Sequence, residues 1–450
     1  MIKDRELRRC RVDLQQIAVR AVTLATLLAS AFAPVRDAKA QTLARPGWAG
    51  SGMKVAQWWR NSVIVEVSPE SAGDRTVLSH TRLQLGDLQT LGTDAVLLRG
   101  IDVGVPAGSN GADPQLAANY GTLDDFDQLM REASGRRIRL MVELPTTLVG
   151  NALLADARFW LNRGVSGLYL QGDAGRSDDQ VRALRGVLRG YVGDRVLAGG
   201  VEEGASGQVG NGLDMVFATL QGFGGGPQAT DITAVRSSIE AARRSSTAVS
   251  VATVSATAPA VAGDEAKARS TALLMVRGSV ALRAQDVGIG PEEEARTQEA
   301  QREAVETKAV ETATSPAAAA NARRAAAARK ASAAMAVELP GDETFAWYQR
   351  MIGLHRGNAA LLAGEQTLLN EDDAGALVSV WQARAGQPLV AVVNFRGTAF
   401  KFNLTQGLAK LRTHGLFLKA VLRSDKGMGA MPLGNVSLPA YGVYLGQLGR

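Results

Sequence analysis

Cysteine and histidine are scarce in this chain of 450 residues. The only cysteine is Cys10, and the three histidines, His80, His355 and His414, are too far apart in sequence to form a spaced ligand pair. One thiol near the start excludes a disulfide framework in the body of the chain, and scattered imidazoles make a zinc site a poor prediction. The sequence therefore predicts no cofactor and no metal site.

Long apolar runs are also missing, except for a short one near the start. Basic residues crowd the first 12 positions, Ile17–Val35 is mostly apolar, and Ala38–Ala40 supplies the small residues of a cleavage site. The uninterrupted apolar part is about 15 residues, shorter than the ~20 that a membrane span needs. We predict a signal peptide cleaved after Ala40, a linker over 41–56, no membrane span in the mature chain, and a periplasmic or secreted location. A retained membrane anchor is the alternative.

Charge of one sign does not dominate the body of the chain. The formal net charge is +6, but much of the excess lies in the N-terminal segment and in a low-complexity stretch, and aromatic residues make up 5% of the chain. No face that combines basic and aromatic side chains is apparent, so we predict no nucleic-acid partner.

What the chain does contain is a recurring helix followed by a buried strand, most clearly at 157–173. Phe159 and Trp160 lie in a predicted helix, Gly164 ends it, and the apolar run 165–170 has the length and composition of a strand buried on both faces. Such units build parallel α/β sheets. Eight strands are predicted, at 63–67, 94–98, 138–143, 165–170, 195–200, 213–217, 249–254 and 278–282.

Several of these segments resemble motifs of the α-amylase superfamily, glycoside hydrolase family 13. The stretch ARFWLNRGVSGLYLQGD at 157–173 is similar to the family's FWL(D/N)xGVDGFRxD, NYGTLDDF at 119–126 to xFGTLEDFDxL, and LDMVF at 213–217 to LDMVFNF. The resemblance implies an α/β fold: a TIM (β/α)8 barrel over 57–290. The next predicted helix follows strand three after only a few residues, so we expect almost no inserted second domain.

The resemblance continues to the C-terminus after an interruption. Residues 291–343 form a low-complexity helical insert, acidic in its first half and basic in its second, read either as a solvated linker or as helices that pair with each other or with a partner. We predict the last barrel helix at 344–360, with Tyr348 and Met351 in the core. Alternating strands over 361–450, including LVAVVNF and LPAYGVYLG, resemble the family's C-terminal antiparallel β-sandwich.

The resemblance fails at the positions that carry the family's catalysis. The family's nucleophile, an Asp at the end of strand four, is matched by Gln171, and its general acid, a Glu on strand five, by Gly200. The Asp and His after strand three are matched by Glu143, Thr147 and Leu148. No Asp, Glu or His occurs in the segment 241–263, where strand seven should supply a further Asp. Carboxylates near strand ends remain as displaced candidates: Glu143, Asp173, Glu202 and Asp286.

We therefore predict an exported α-amylase-like homologue that has lost its catalytic carboxylates and acts as a binding or scaffold protein in the cell envelope. It resembles the non-catalytic heavy chain of heteromeric amino-acid transporters, which implies a protein partner. A glycan partner is a second hypothesis, for which only Tyr120 and Tyr169 lie near strand ends. A third is a weak or altered α-glucan hydrolase or transglycosylase of carbohydrate metabolism that uses the displaced carboxylates.

Overall fold

The fold is taken from a computed structural model, which describes most of the chain from Gln57 onward. The described residues all belong to one unit, Gln57–Arg450. They are 57–72, 75–102, 114–171, 178–200, 212–223, 230–244, 249–254, 258, 261, 263–288, 340–369, 375–383, 386–411, 415–425 and 429–449. The predicted signal peptide, the linker over 41–56 and the insert up to residue 339 lie outside the described residues. No helix among the described residues combines the length and apolar character that crossing a bilayer requires.

Eight parallel strands close into a barrel, in the order of the chain. They are β1 Val63–Val67, β2 Ala95–Leu98, β3 Arg139–Leu144, β4 Gly167–Leu170, β5 Val196–Gly200, β6 Met215–Leu220, β7 Val249–Val254 and β8 Ser279–Arg283. The helices outside the barrel are α1 Val77–Leu83, α2 Leu85–Leu91, α3 Leu123–Gly135, α4 Gly150–Asn162, α5 Asp178–Arg189, α6 Ile232–Arg244, α7 Gly263–Leu274 and α8 Pro340–Gly357. The predicted TIM barrel is confirmed.

The strands read as continuous apolar runs because both of their faces are buried. Side chains that point inward, such as Ile64, Met141 and Phe217, form the cluster inside the barrel. Their neighbours in sequence, such as Val63 and Val65, pack outward against the helices. A short 3-10 helix, Trp58–Asn61, precedes β1, and Trp59 belongs to the inner cluster.

Local signals in the sequence set the ends of two helices. At the start of α3, the Thr122 hydroxyl accepts a hydrogen bond from the Asp125 backbone N–H, and the Asp125 carboxylate accepts one from the Thr122 backbone N–H. This reciprocal capping box satisfies two backbone donors that the helix itself cannot. After α4, Gly164 adopts a φ of 97°, which explains why the helix ends before it. Between β3 and α4 the connection is only 145–149, so no second domain is inserted there.

A C-terminal antiparallel sheet follows the barrel, as predicted. Its order is β14-β13-β16-β11-β10-β9, and a separate pair, β12 and β15, covers part of it. The strands are β9 Glu365–Leu369, β10 Ala376–Gln382, β11 Leu389–Asn394, β12 Phe400–Phe402, β13 Phe417–Arg423, β14 Met431–Pro432, β15 Val436–Leu438 and β16 Val443–Gly449. Two short helices, α9 Ala359–Ala363 and α10 Thr405–Lys410, flank the sheet strands in sequence. The second layer is therefore much smaller than the first.

The sheet and the barrel share one core. Residues on one face of the sheet, such as Trp381 and Leu389, belong to the same hydrophobic cluster as the outer side of the barrel. The opposite face packs against β12, β15 and α10 in a cluster of its own. Arg236 of α6 donates to the Ala376 carbonyl at 2.5 Å, which fixes β10 on the barrel. Tyr348 and Met351 of α8 are buried in the shared core, as predicted.

Candidate functional site

The carboxyl ends of the parallel barrel strands meet at one face, and TIM-barrel enzymes place their active sites at this end. Here the inward-facing ends carry Glu66 on β1, Arg99 directly after β2, Glu143 on β3, Tyr169 on β4 and Thr253 on β7. We call these five residues the barrel-end cluster. Their contacts decide what this end of the barrel can do.

Arg99 lies at the centre of the barrel-end cluster. Its Nη1 is 3.0 Å from Oε2 of Glu66, and its Nε is 3.2 Å from Oε2 of Glu143. The guanidinium carbon lies 4.4 Å from the centre of the Tyr169 ring, close enough for a cation–π contact. Two further donors reach these carboxylates: Thr253 Oγ1 donates to Glu66 Oε1 at 3.1 Å, and the Gly100 N–H donates to Glu143 Oε2 at 2.7 Å. The other oxygen of Glu143, Oε1, is buried and has no hydrogen-bond partner among the described residues.

Burial and ion pairing act in opposite directions on the pKa values in the barrel-end cluster. Burial raises the pKa of Glu66, and the charge of Arg99 and the hydroxyl of Thr253 offset only part of that rise. Burial would lower the pKa of Arg99, but Glu66, Tyr169 and Glu143 raise it above its ordinary value. Arg99 therefore stays charged, and its charge is committed to two carboxylates inside the protein.

Tyr169 fills the space next to the family's general-acid position. A Cβ built on Gly200 would lie far inside van der Waals contact of the Tyr169 hydroxyl oxygen and 3.2 Å from its Cζ. The Tyr169 ring is held there by an edge contact with Phe217, with ring centroids 4.9 Å apart. No side chain fits at position 200 while Tyr169 keeps this rotamer. In the family pattern quoted above, an Arg stands at the position of Tyr169. In this chain the arginine inside this end of the barrel is Arg99, which follows β2.

The other candidate site residues are distributed as follows. Gln171 is exposed at the end of β4, and Thr147 and Leu148 lie in the short connection after β3. Asp173 and Glu202 lie outside the described residues. Asp286 forms a two-point ion pair with Arg283, at 2.6 and 2.8 Å, and the side chains of both residues are 7% exposed. Both described candidates, Glu143 and Asp286, are thus engaged by arginines, which makes them poor catalytic groups.

Tyr120 and Tyr169, the two tyrosines near strand ends that the glycan hypothesis depends on, are both buried. Tyr120 is 0% exposed and Tyr169 is 4% exposed. The Tyr120 hydroxyl donates to the Arg99 carbonyl oxygen, and the Tyr169 ring lies against the Arg99 guanidinium. Both rings therefore support Arg99 from inside the protein and present no face to solvent.

A second buried acidic group lies beside the barrel-end cluster, and sequence reasoning missed it. Trp160 Nε1–H of α4 donates to Asp102 Oδ2 at 2.5 Å. Asp156, one turn earlier on α4, is 1% exposed, and burial together with the neighbouring Asp102 raises its pKa to about 9. Asp156 is therefore protonated at neutral pH. No group of three or more possible metal ligands occurs among the described residues.

Comparison with known sequences gives short matches. No family model matches the chain. Trehalose-6-phosphate hydrolase of Escherichia coli (strain K12) is 36% identical over 100 residues, which is 19% of this chain and 17% of that protein. An α-glucosidase of Pediococcus pentosaceus is 32% identical over 97 residues, 20% of this chain and 17% of that protein. The chain thus matches less than a fifth of the length of these relatives.

Comparison of structures covers far more of the chain. Trehalulose synthase MutB from Pseudomonas mesoacidophila MX-45 has a TM-score of 0.60 and 17% identity, over 88% of this chain and 100% of that chain. Isomaltulose synthase from Klebsiella sp. LX3 has a TM-score of 0.60 and 15% identity over the same shares. At such identity the likeness establishes the fold. These relatives and neighbours are α-amylase-family enzymes of glycoside hydrolase family 13, and together they support placing this chain in the α-amylase superfamily.

Proposed function

We propose that this chain is an exported α-amylase-like protein that no longer cleaves glycosidic bonds and serves as a binding or scaffold protein in the cell envelope. The proposal rests on one observation. Arg99 and Tyr169 fill the inside of the barrel at the carboxyl ends of its strands, where a glycosidase of this fold needs space and carboxylates. The barrel then acts as a support whose inner end is filled by its own side chains.

The chemistry of retaining glycosidases supports this proposal. That reaction uses two carboxyl groups about 5–5.5 Å apart, one of which attacks the sugar while the other protonates the leaving oxygen. Glu66 and Glu143 both accept from Arg99, so neither is a free nucleophile. At Gly200 an acid has no room beside Tyr169. Loss of such groups costs several powers of ten in rate.

The proposed role extends to location and partner. We propose that residues 1–40 direct export and are removed after Ala40, because basic, apolar and small-residue segments follow each other in the order of a signal peptide. The non-catalytic heavy chain of heteromeric amino-acid transporters belongs to the same superfamily and acts by binding another protein. By analogy, we propose that the partner of this chain is a protein of the cell envelope. That step is an analogy of fold.

An activity assay tests the central claim. The purified protein is incubated with α-linked glucose oligosaccharides and the release of reducing ends is followed, with the Glu202→Gln and Asp173→Asn variants in parallel. We expect no release above background in any of the three. Turnover by the wild type that either substitution abolishes would establish a displaced acid and refute the proposal. Binding of the oligosaccharides without turnover would support the loss of catalysis but would indicate that the partner is a glycan instead of a protein.

Export needs a separate measurement. The mass of the protein recovered from the medium or the periplasm should correspond to a chain that begins at Gln41. Recovery of the full-length chain with membranes would contradict cleavage and leave the N-terminal segment as an anchor.

A further inference from the structure

The end of the barrel opposite the barrel-end cluster is rich in arginine. We call it the N-terminal face, because it consists of the segments that lead into the strands. Its described segments are 57–62, 92–94, 136–138, 163–166, 189–195, 212–214 and 275–278. They contain seven arginines and three aspartates: Arg60, Arg136, Arg137, Arg163, Arg189, Arg195, Arg277, Asp94, Asp194 and Asp214.

Most of the acidic charge on the N-terminal face is already paired. Asp94 binds Arg356 of α8, and Asp214 binds Arg185 of α5 at 3.1 Å. By contrast, the side chains of Arg137, Arg189 and Arg277 are exposed and have no carboxylate partner among the described residues. The face therefore presents unpaired positive charge to solvent.

An apolar side chain projects from the same face. Val192 is 94% exposed, in the connection between α5 and β5 that also carries Arg189. This connection is fixed on both sides of Val192: the Tyr191 hydroxyl donates to Asn162 Oδ1 at 2.8 Å, and the Trp58 indole N–H donates to the Asp194 carbonyl at 3.1 Å. Val192 is thus held outward by its neighbours. A lone exposed valine is ordinary on a protein surface, but this one stands on a cationic face.

The polypeptide also joins the described unit at this face. Gln57 leads directly into the 3-10 helix Trp58–Asn61, and the apolar segment Ile17–Val35 lies only a short way upstream in the sequence. If this segment directs export, as proposed above, it meets a lipid bilayer whether or not it is later removed.

Complementing the helix dipoles explains only part of this charge. Arg136 and Arg189 lie at the ends of α3 and α5, where a cation stabilises the last carbonyls. Arg137 and Arg277 lie beyond helix ends in the connections, and a helix dipole does not account for Val192. A soluble polyanion would account for the arginines but would gain nothing from an apolar tip. A lipid surface with anionic headgroups uses both features.

We propose that the N-terminal face of the barrel binds anionic phospholipid membranes, with Arg137, Arg189 and Arg277 on the headgroups and Val192 at their apolar boundary. The inference does not rest on the loss of glycosidase activity, and it holds for a cleaved or a retained N-terminal segment.

Co-sedimentation with vesicles tests this proposal on the full chain. The vesicles contain phosphatidylcholine alone or with phosphatidylglycerol. A basic residue near an anionic surface contributes roughly 1 kcal/mol, so the loss of two arginines alone weakens partitioning into the anionic vesicles by about thirtyfold. Arg137→Glu with Arg277→Glu also adds two negative charges, so the double variant should weaken partitioning by at least that factor. Val192→Ser should weaken it severalfold, and raising the ionic strength should reduce the wild type's advantage over the double variant.

Matched controls separate the N-terminal face from charge in general. Lys401→Glu with Lys410→Glu makes the same change of net charge on exposed residues of the C-terminal region, and Leu416→Ser removes another exposed apolar side chain, 76% exposed. Both controls should bind like the wild type. The N-terminal segment is the same in every variant, so it cannot create a difference among them. Three outcomes would overturn the proposal. The wild type and R137E/R277E could bind the vesicles equally, or the lysine control could lose as much binding as R137E/R277E. The third is tight binding to duplex DNA that V192S leaves unchanged, without any binding to vesicles.

Discussion

The two ends of the barrel use charge in opposite ways. At the carboxyl ends of the strands, Arg99 binds Glu66 and Glu143 inside the protein, and Asp286 binds Arg283. At the N-terminal face, arginines such as Arg137 and Arg277 stand in solvent without a carboxylate partner among the described residues. Charge that is paired inside a protein holds a structure together, whereas charge left in solvent is available for another molecule.

This difference bears on where function lies in the chain. At the barrel end that carries the chemistry in enzymes of this fold, the described charged residues that point inward are paired inside the protein, and the Tyr169 ring lies against Arg99. The opposite end, which usually contributes stability, carries the open charge. We therefore look for the activity of this protein in surface recognition, and four experiments test the contrast between the two ends.

The largest effect is expected from Arg99→Met. Removing the guanidinium leaves Glu66 and Glu143 buried without a counter-charge, which costs about 3–5 kcal/mol of unfolding free energy. Burial already raises the pKa of Glu66. Without Arg99 this pKa rises further, so the stability that protonation contributes is present at low pH and is lost as the pH rises through the folded-state pKa.

Urea unfolding at two pH values measures this prediction. The deficit of R99M relative to the wild type should be smaller near pH 5 than near pH 8. The control is Arg131→Met, at an exposed arginine of α3, which should change stability by less than about 0.5 kcal/mol. A deficit in R99M no larger than in this control would show that the barrel-end cluster is not held by its arginine.

A smaller effect is expected from Gly200→Ala. The new Cβ collides with the Tyr169 hydroxyl, so the variant should lose about 2 kcal/mol. Replacing Tyr169 by Phe removes the colliding oxygen, and Y169F/G200A should be more stable than the sum of the single changes by at least about 0.5 kcal/mol. Gly186 of α5 has open space around its Cα, so Gly186→Ala should be neutral or stabilising. Strict additivity in the cycle would refute the contact.

The third effect is a dependence on pH. The pKa of Asp156 is raised to about 9 by burial and by Asp102. The folded chain therefore holds a proton that the unfolded chain releases near pH 4, and the stability this proton contributes is lost as the pH rises through about 9. Asp156→Asn carries no such proton, so the wild type should lose about 1.4 kcal/mol per pH unit relative to D156N between pH 5 and 8.

Unfolding free energies at several pH values check this slope. Asp124→Asn, at an exposed carboxylate in the first turn of α3, is the control and should give no comparable slope. Parallel pH profiles of the wild type and D156N would mean that Asp156 is ionised in the folded protein.

The smallest effect on stability is expected at the N-terminal face. Arg137→Glu with Arg277→Glu breaks no ion pair among the described residues and should change the unfolding free energy by no more than about 0.5 kcal/mol. The same variant should lose vesicle binding. A large loss of stability would show that these arginines, like Arg99, serve the fold.

Sequence reasoning located the scaffold well because its signals are local. The apolar runs, the Thr122 cap and Gly164 each act over a few neighbouring residues, and the strands they predict agree with those observed to within about three residues. The low number of large apolar residues in 291–339 likewise predicts an insert without a core of its own, and that segment lies outside the described residues.

The barrel-end cluster could not be found in the same way. Arg99 and Glu66 are 33 positions apart, and Thr253 and Glu66 are 187 apart. Only the barrel, with its inward-pointing strand ends, brings them together. The sequence identified Tyr169 only as a tyrosine near a strand end that a glycan could contact, and it gave no sign that the ring fills the space beside Gly200.

The contact between Tyr169 and Gly200 also limits how the chain can change over time. A carboxylate at position 200 collides with Tyr169 unless the side chain at position 169 shrinks or turns away. That first step would remove the ring that lies against Arg99 and Phe217. An intermediate sequence would carry the loss of stability before any new activity could compensate for it. Placing an acid at position 200 by single substitutions therefore runs through a less stable protein.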